Sequence, residues 1–153
     1  MAAIDIDSWM ERAISEARAA AAESEVPVGA VLIQDGSVLG TGHNRTEQLD
    51  DPSAHAEILA LRAAGAARGD WRLEGSTLVV TLEPCPMCIG AIVWARVARL
   101  VFGARDPRYG ACGSAVELLP SRLSPHLREV RSGCRESECS ELLTSFFRQL
   151  RET

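Results

Sequence analysis

Two short segments of this 153-residue chain hold residue types that could do chemistry at a metal ion. They are Ala54-His55-Ala56-Glu57 and Glu83-Pro84-Cys85-Pro86-Met87-Cys88. Cys85 and Cys88 stand three apart where a helix is expected to begin, so their sulfurs can face one point. The positive end of that helix favours thiolates over thiols. His55 offers a third donor from the opening turn of another helix. Such nitrogen and sulfur donors suit zinc, and three of them leave a tetrahedral ion one open position, as in catalytic sites. Zinc lowers the pKa of bound water from about 15.7 to about 7. A carboxylate that is not itself a ligand can then accept and return protons, and Glu57 is placed for that work. His55 and Glu57 are two residues apart, about 200° around a helix. They converge only if the helix end addresses the site, and Ser53 as N-cap would arrange this.

Other readings attach to the same residues. A lone histidine is commonly a satisfied polar residue, and a lone C-x-x-C pair can be redox-active or structural. A structural zinc needs a fourth protein ligand, for which Cys112 and His43 are the sequence candidates, neither with recognisable spacing to the pair. Cys112, Cys134 and Cys139 have no ligand spacing of their own, and the odd total of five cysteines argues against a disulfide framework. The joint occurrence of the two segments is far more specific than either alone.

The elements that must position these residues follow from periodicity. An alanine-rich stretch over 7–22, with Trp9, Ala13, Ala17 and Ala21 every four positions, predicts a helix. Val28 to Ile33 and Ser37 to Thr41 predict a hairpin around Asp35-Gly36. Residues 44–53 read as a polar loop, 54–67 as a helix with Ala54, Ile58 and Leu61 on one face, and 76–82 as a buried strand. Pro86 fits the first position of a helix running to 95. A strand is expected over 98–103, a loop over 106–113, a short helix near 114–119 and a strand near 127–131. Residues 137–151 close the chain as an amphipathic helix. Alternating strands and helices predict one domain over 1–153, an α/β layered sandwich with a mixed sheet.

Composition fits a soluble globular protein, at 46% hydrophobic and 24% charged residues. No apolar run is long enough to cross a bilayer. The N-terminus has no basic segment leading into an apolar stretch, so a cytoplasmic location is expected. Net charge is −5, divided between −8 over residues 1–95 and +3 over 96–153, and all 16 basic residues are arginine. Arginine suits phosphates and stacked bases, although an ordinary solvated surface accounts for the charge equally well.

On these residues the chain resembles the cytidine-deaminase-like zinc deaminases, and within them the bacterial tRNA-specific adenosine deaminases. The likeness runs through Glu25 to Val31, Asn44-Arg45, Asp51-Pro52, Ala54 to Ile58, Trp71-Arg72-Leu73, Thr81 to Cys88, Val101 to Asp106, Gly113-Ser114 and Phe146-Phe147-Arg148. It implies a three-layer α/β/α sandwich around a five-stranded sheet, one zinc per chain on His55, Cys85 and Cys88, and Glu57 as the proton carrier. It implies that Asn44, Ala56 and Pro84 line the base pocket and that Asp106 contacts the target sugar. It further implies a homodimer whose interface helps form each active site, and apolar Ile89, Ile92, Val93 and Trp94 point the same way. The implied substrate is the wobble adenosine of a tRNA anticodon loop; if RNA is the partner, Arg148 and Arg151 near the end of the last helix are expected to contact its phosphates. The chain departs from the family at His43, where tryptophan is usual, at Arg108-Tyr109, where Lys-Thr is usual, and over Ser124 to Arg128. These departures favour an alternative substrate, a free nucleobase, nucleoside or small heterocyclic amine. A non-catalytic zinc module that binds RNA or protein is a third reading, and Glu57 counts against it.

Overall fold

A computed structural model describes residues 5–119 and 125–152. The first helix, α1 (Ile6–Ala22), starts at Asp5, whose carboxylate accepts from the Ser8 N–H at 3.2 Å and the Ser8 hydroxyl at 2.8 Å. Its buried stripe is Met10, Ala13, Ile14, Ala17 and Ala20. That stripe is turned from the expected one, because a 3.6-residue helix drifts away from a strict spacing of four. Strands β1 (Gly29–Gln34) and β2 (Ser37–His43) form the expected hairpin. Asp35 and Gly36 have φ of 52° and 77°, the left-handed pair that a two-residue turn requires.

The segment after β2 departs from the expected plain loop, since Thr46–Leu49 forms one helical turn, α2. The remaining elements are α3 (Ala56–Arg68), β3 (Thr77–Leu82), α4 (Pro86–Trp94), β4 (Arg99–Ala104), β5 (Glu129–Arg131) and α5 (Glu136–Glu152). The helix expected near 114–119 is absent, and turns with a Cys112–Glu117 bridge take its place. Its backbone donors are used elsewhere: Gly113 N–H reaches Val116, Leu118 N–H reaches Ala111, and Ser114 N–H goes to Glu83. Ser124 lies outside the described residues, while Arg128 N–H pairs with Ala98 beside β5.

The sheet has five strands in the order β2-β1-β3-β4-β5. β1 pairs antiparallel with β2 and β3, while β3–β4 and β4–β5 are parallel, so the sheet is mixed as expected. Period-two alternation sends the strand side chains to two cores. Val31, Ile33, Val79 and Val101 pack against Met10 and Ile14 of α1 and Cys139 of α5. Leu32, Leu78, Val80, Leu100 and Phe102 pack on the other side with Ala60 and Ala64 of α3 and Ile89 and Ile92 of α4. Helices thus cover both faces in an α/β/α sandwich. No described helix is long and apolar enough to cross a membrane.

α3 sits unusually close to β2. A Cβ at Gly42 would stand 2.5 Å from the Ala56 carbonyl oxygen and 2.7 Å from the Ala60 nitrogen. Gly40 meets Ala60 and Ala64 in the same way. Small residues on both elements therefore set the height of α3, and with it the residues at its N-terminus.

Candidate active site

Helix ends bring the metal donors together. His55 is the N-cap of α3 and Cys85 the N-cap of α4, both with extended backbone, and Pro86 and Cys88 occupy the first turn of α4. His55 Nδ1 lies 3.6 Å from Cys85 Sγ and 3.5 Å from Cys88 Sγ. A tetrahedral zinc with bonds of about 2.3 Å to sulfur and about 2.05 Å to nitrogen needs an N···S separation of about 3.6 Å. The donor set therefore fits zinc in both type and spacing. It is the one group of three or more such donors within 4.8 Å among the described residues.

Neither candidate fourth ligand joins it. His43 is turned toward α1, its ring nitrogens 3.3 Å from Glu16 and 2.9 Å from Glu23. Cys112 is not among the donors that converge within 4.8 Å, and its N–H is tied to the Glu83 carboxylate at 2.9 Å. Three donors and an open position remain. The Cys88 thiol holds the Cys85 sulfur as a thiolate at about 4, while that same bond and burial raise Cys88 itself. A dication favours the thiolate form of both.

Glu57, in the first turn of α3, is only 4% exposed, and burial pushes its carboxyl up to about 7. The end of α3 addresses the site as expected, but Ser53 does not cap it. The Ser53 hydroxyl is taken by Asp51 at 2.7 Å, and the Ala56 N–H donates instead to Asn44 Oδ1 at 2.9 Å. Asn44 thus ties the end of β2 to the start of α3.

Two buried carboxylates outside the expected set hold the surrounding loops. Glu25 accepts from Glu47 N–H at 3.2 Å and Gln48 N–H at 2.8 Å, capping α2 and fixing the loop between Asn44 and His55. Glu83 accepts from the N–H groups of Asp106, Cys112 and Ser114 and from the Ser114 hydroxyl. It thereby fastens loop 106–114 to the strand end beside the cysteines. In the sequence the only trace of either role is an acid next to a motif.

Asn44, His55, Glu57, Cys85 and Asp106 line one cleft of about 1050 Å³. Its walls also carry Arg105, Arg108 and Tyr109 from the loop and Leu143, Phe147, Leu150 and Arg151 from α5. Ala56 and Pro84 are buried behind it; the Ala56 N–H is taken by Asn44 and the Pro84 carbonyl by Ala111 N–H. Arg148 does not line the cleft, whereas Arg151 does. Ile89 and Ile92 lie in the core and Val93 packs against it, so Trp94 alone of the four residues noted for a dimer is exposed, at 76%.

The model of the cytidine and deoxycytidylate deaminase zinc-binding region matches residues 4–104. The chain belongs to this family of zinc-dependent deaminases. It is 49% identical over 144 residues to a tRNA-specific adenosine deaminase of Bacillus subtilis, covering 94% of this chain and 89% of that one. A solved tRNA:A34 deaminase, which edits A to I at the wobble position of transfer RNA, is 46% identical with a TM-score of 0.81, covering 89% of this chain and 99% of that one. A guanine deaminase of Nitrosomonas europaea is 29% identical with a TM-score of 0.77, covering 92% and 83% respectively.

Proposed function

We propose that this deaminase converts the wobble adenosine of a tRNA anticodon loop to inosine, with His55, Cys85 and Cys88 holding zinc and Glu57 moving the protons. The cleft carries this reading. At about 1050 Å³ it slightly exceeds the usual range of pockets that hold whole drug-sized ligands. Its walls add arginines and the exposed aromatics Tyr109 and Phe147 to the donor cluster. Free bases do not need such walls, whereas a splayed single-stranded loop does. The tRNA-specific relatives favour the same substrate, which is met in the cytoplasm.

His55, Cys85 and Cys88 would hold a zinc ion, which would supply Lewis acidity that brings the pKa of a bound water toward neutrality. Glu57 takes a proton from the attacking water and returns it to the purine ring nitrogen. It then carries the second proton to the departing amine, so adenosine and water give inosine and ammonia. Asn44 lines the pocket and, through Ala56, fixes the helix start that bears His55 and Glu57. Asp106 faces the sugar, and Arg151 with Arg148 meets phosphates of the stem-loop.

The working form is a homodimer. A second groove of about 1020 Å³ is lined by Ile58 and Leu61 of α3, Ala91 and Trp94 of α4, and Trp71. These two helices also carry the zinc donors, so an interface here would bear on the site.

Ammonia release from an anticodon stem-loop with wobble adenosine, set against free adenosine, guanine and cytosine, tests the substrate. Turnover of the stem-loop is expected, and Glu57→Gln should retain zinc while losing about 10²–10⁴-fold in kcat. Efficient turnover of a free base with none of the stem-loop would place the protein with the guanine deaminase instead. A Glu57→Gln variant at near wild-type rate would remove Glu57 from the mechanism.

A further inference from the structure

We infer that the Tyr109 ring is a stacking platform for a nucleotide next to the target adenosine, an inference that rests on the anticodon-loop reading above. Among the described residues the exposed large apolar side chains are concentrated at two places, and Tyr109, Met87, Phe147 and Leu150 all line the zinc cleft. Tyr109 is the most exposed of these four, at 62%. Tyr109 thus presents most of its surface to water on the wall of the cleft and not to the core.

The backbone that carries the ring is held in place. Asp106 Oδ1 accepts from Arg108 N–H at 3.0 Å and Tyr109 N–H at 3.2 Å, and Gly110 N–H donates to the Asp106 carbonyl at 2.8 Å. Gly110 lies against the Glu83 carboxylate so closely that a Cβ would collide with it. Glu83 in turn binds Asp106 N–H at 3.0 Å. The backbone is thus pinned on both sides of Tyr109 and anchored beside the cysteines. A ring with two torsions on a fixed backbone loses little entropy when a base stacks on it. Arg105, Arg108 and Arg151 on the same cleft complement the phosphates on either side of that base.

Stacking is sequence-tolerant and is worth roughly five- to 150-fold in affinity for one base. Tyr109→Ala should therefore raise KM for the stem-loop by that factor while kcat changes little. Tyr109→Phe should restore wild-type KM, since the ring and not the hydroxyl is used. On stem-loops with an abasic nucleotide on one or the other side of the target, the Tyr109→Ala penalty should vanish for one of them. The salt dependence of binding should be the same in Tyr109→Ala as in wild type, unlike the effect of losing a phosphate-binding arginine. Zinc content and thermal melting of Tyr109→Ala should match wild type, which separates loss of stacking from damage to the loop. The inference fails if Tyr109→Ala binds the stem-loop as well as wild type, if Tyr109→Phe is as impaired as Tyr109→Ala, or if the penalty persists on both abasic substrates. A wild-type enzyme inactive on every stem-loop would instead overturn the anticodon reading and this inference with it.

Discussion

Burial alone would raise the Glu83 carboxyl, but the Ser114 hydroxyl and the N–H groups of Asp106, Cys112 and Ser114 donate to it and hold it below the ordinary carboxylate range. Its role is to position others: Asp106 and Tyr109 reach the cleft from a loop that Glu83 fastens. A depressed pKa has a defined consequence for stability. The stabilising effect is fully present above the unfolded value of 4.5 and is lost as pH falls through the lower folded value. Glu83→Gln keeps the shape but loses charge-assisted acceptors, at a cost of about 2–3 kcal/mol near neutrality. Thermal melts of both proteins at pH 7 and below pH 4 should show the gap between them narrowing in acid. An equal gap at both pH values would mean that the ionised form contributes nothing special.

Helix ends, not helix faces, build this site, so anything that displaces a helix along β2 displaces the chemistry. Gly42→Ala forces a methyl group against the Ala56 carbonyl and the Ala60 nitrogen, both backbone atoms that cannot swing aside. Overpacking of this kind costs about 1–3 kcal/mol. α3 should lift and carry His55 away from Cys85 and Cys88, lowering zinc affinity in a chelator competition. Gly36→Ala, at a hairpin turn with open space around it, should destabilise through its φ of 77° without touching zinc affinity. Equal zinc affinity in Gly42→Ala and wild type would show that α3 absorbs the strain elsewhere. The convergence of His55, Cys85 and Cys88 was legible in the sequence because few residue types bind zinc and their spacing is local. The sequence disclosed the strand and helix order because hydrophobic periodicity is local too. It did not disclose α2, the cap of α3 or the turns over 114–119. Those depend on Glu25, Asn44 and Glu83 reaching backbone N–H groups 12 to 31 residues away, which no local pattern records.

At the scale of the whole molecule, exposed apolar surface gathers at the zinc cleft and at the groove of Trp71 and Trp94. Neighbouring charges flank the Trp71 side of the groove. Arg72 lies 4.4 Å and Arg96 5.6 Å from the centre of the Trp71 ring, and Glu74 fixes Arg96 at 2.8 Å. Exposed indoles beside apolar helix residues are the kind of anchor that dominates protein–protein interfaces. A second copy of the chain covering this groove would cover α3 and α4, whose N-termini hold the zinc donors. Light scattering at micromolar concentration should therefore give a dimer for the wild type. Trp94→Glu places a charge where an apolar contact is needed and should give a folded monomer, because a side chain 76% exposed supports little of the fold of one chain. If the interface steadies the helix ends, the monomer should also turn over stem-loop RNA more slowly while keeping its zinc. A wild-type monomer would leave the groove without its expected occupant. A Trp94→Glu dimer would move the interface to another surface.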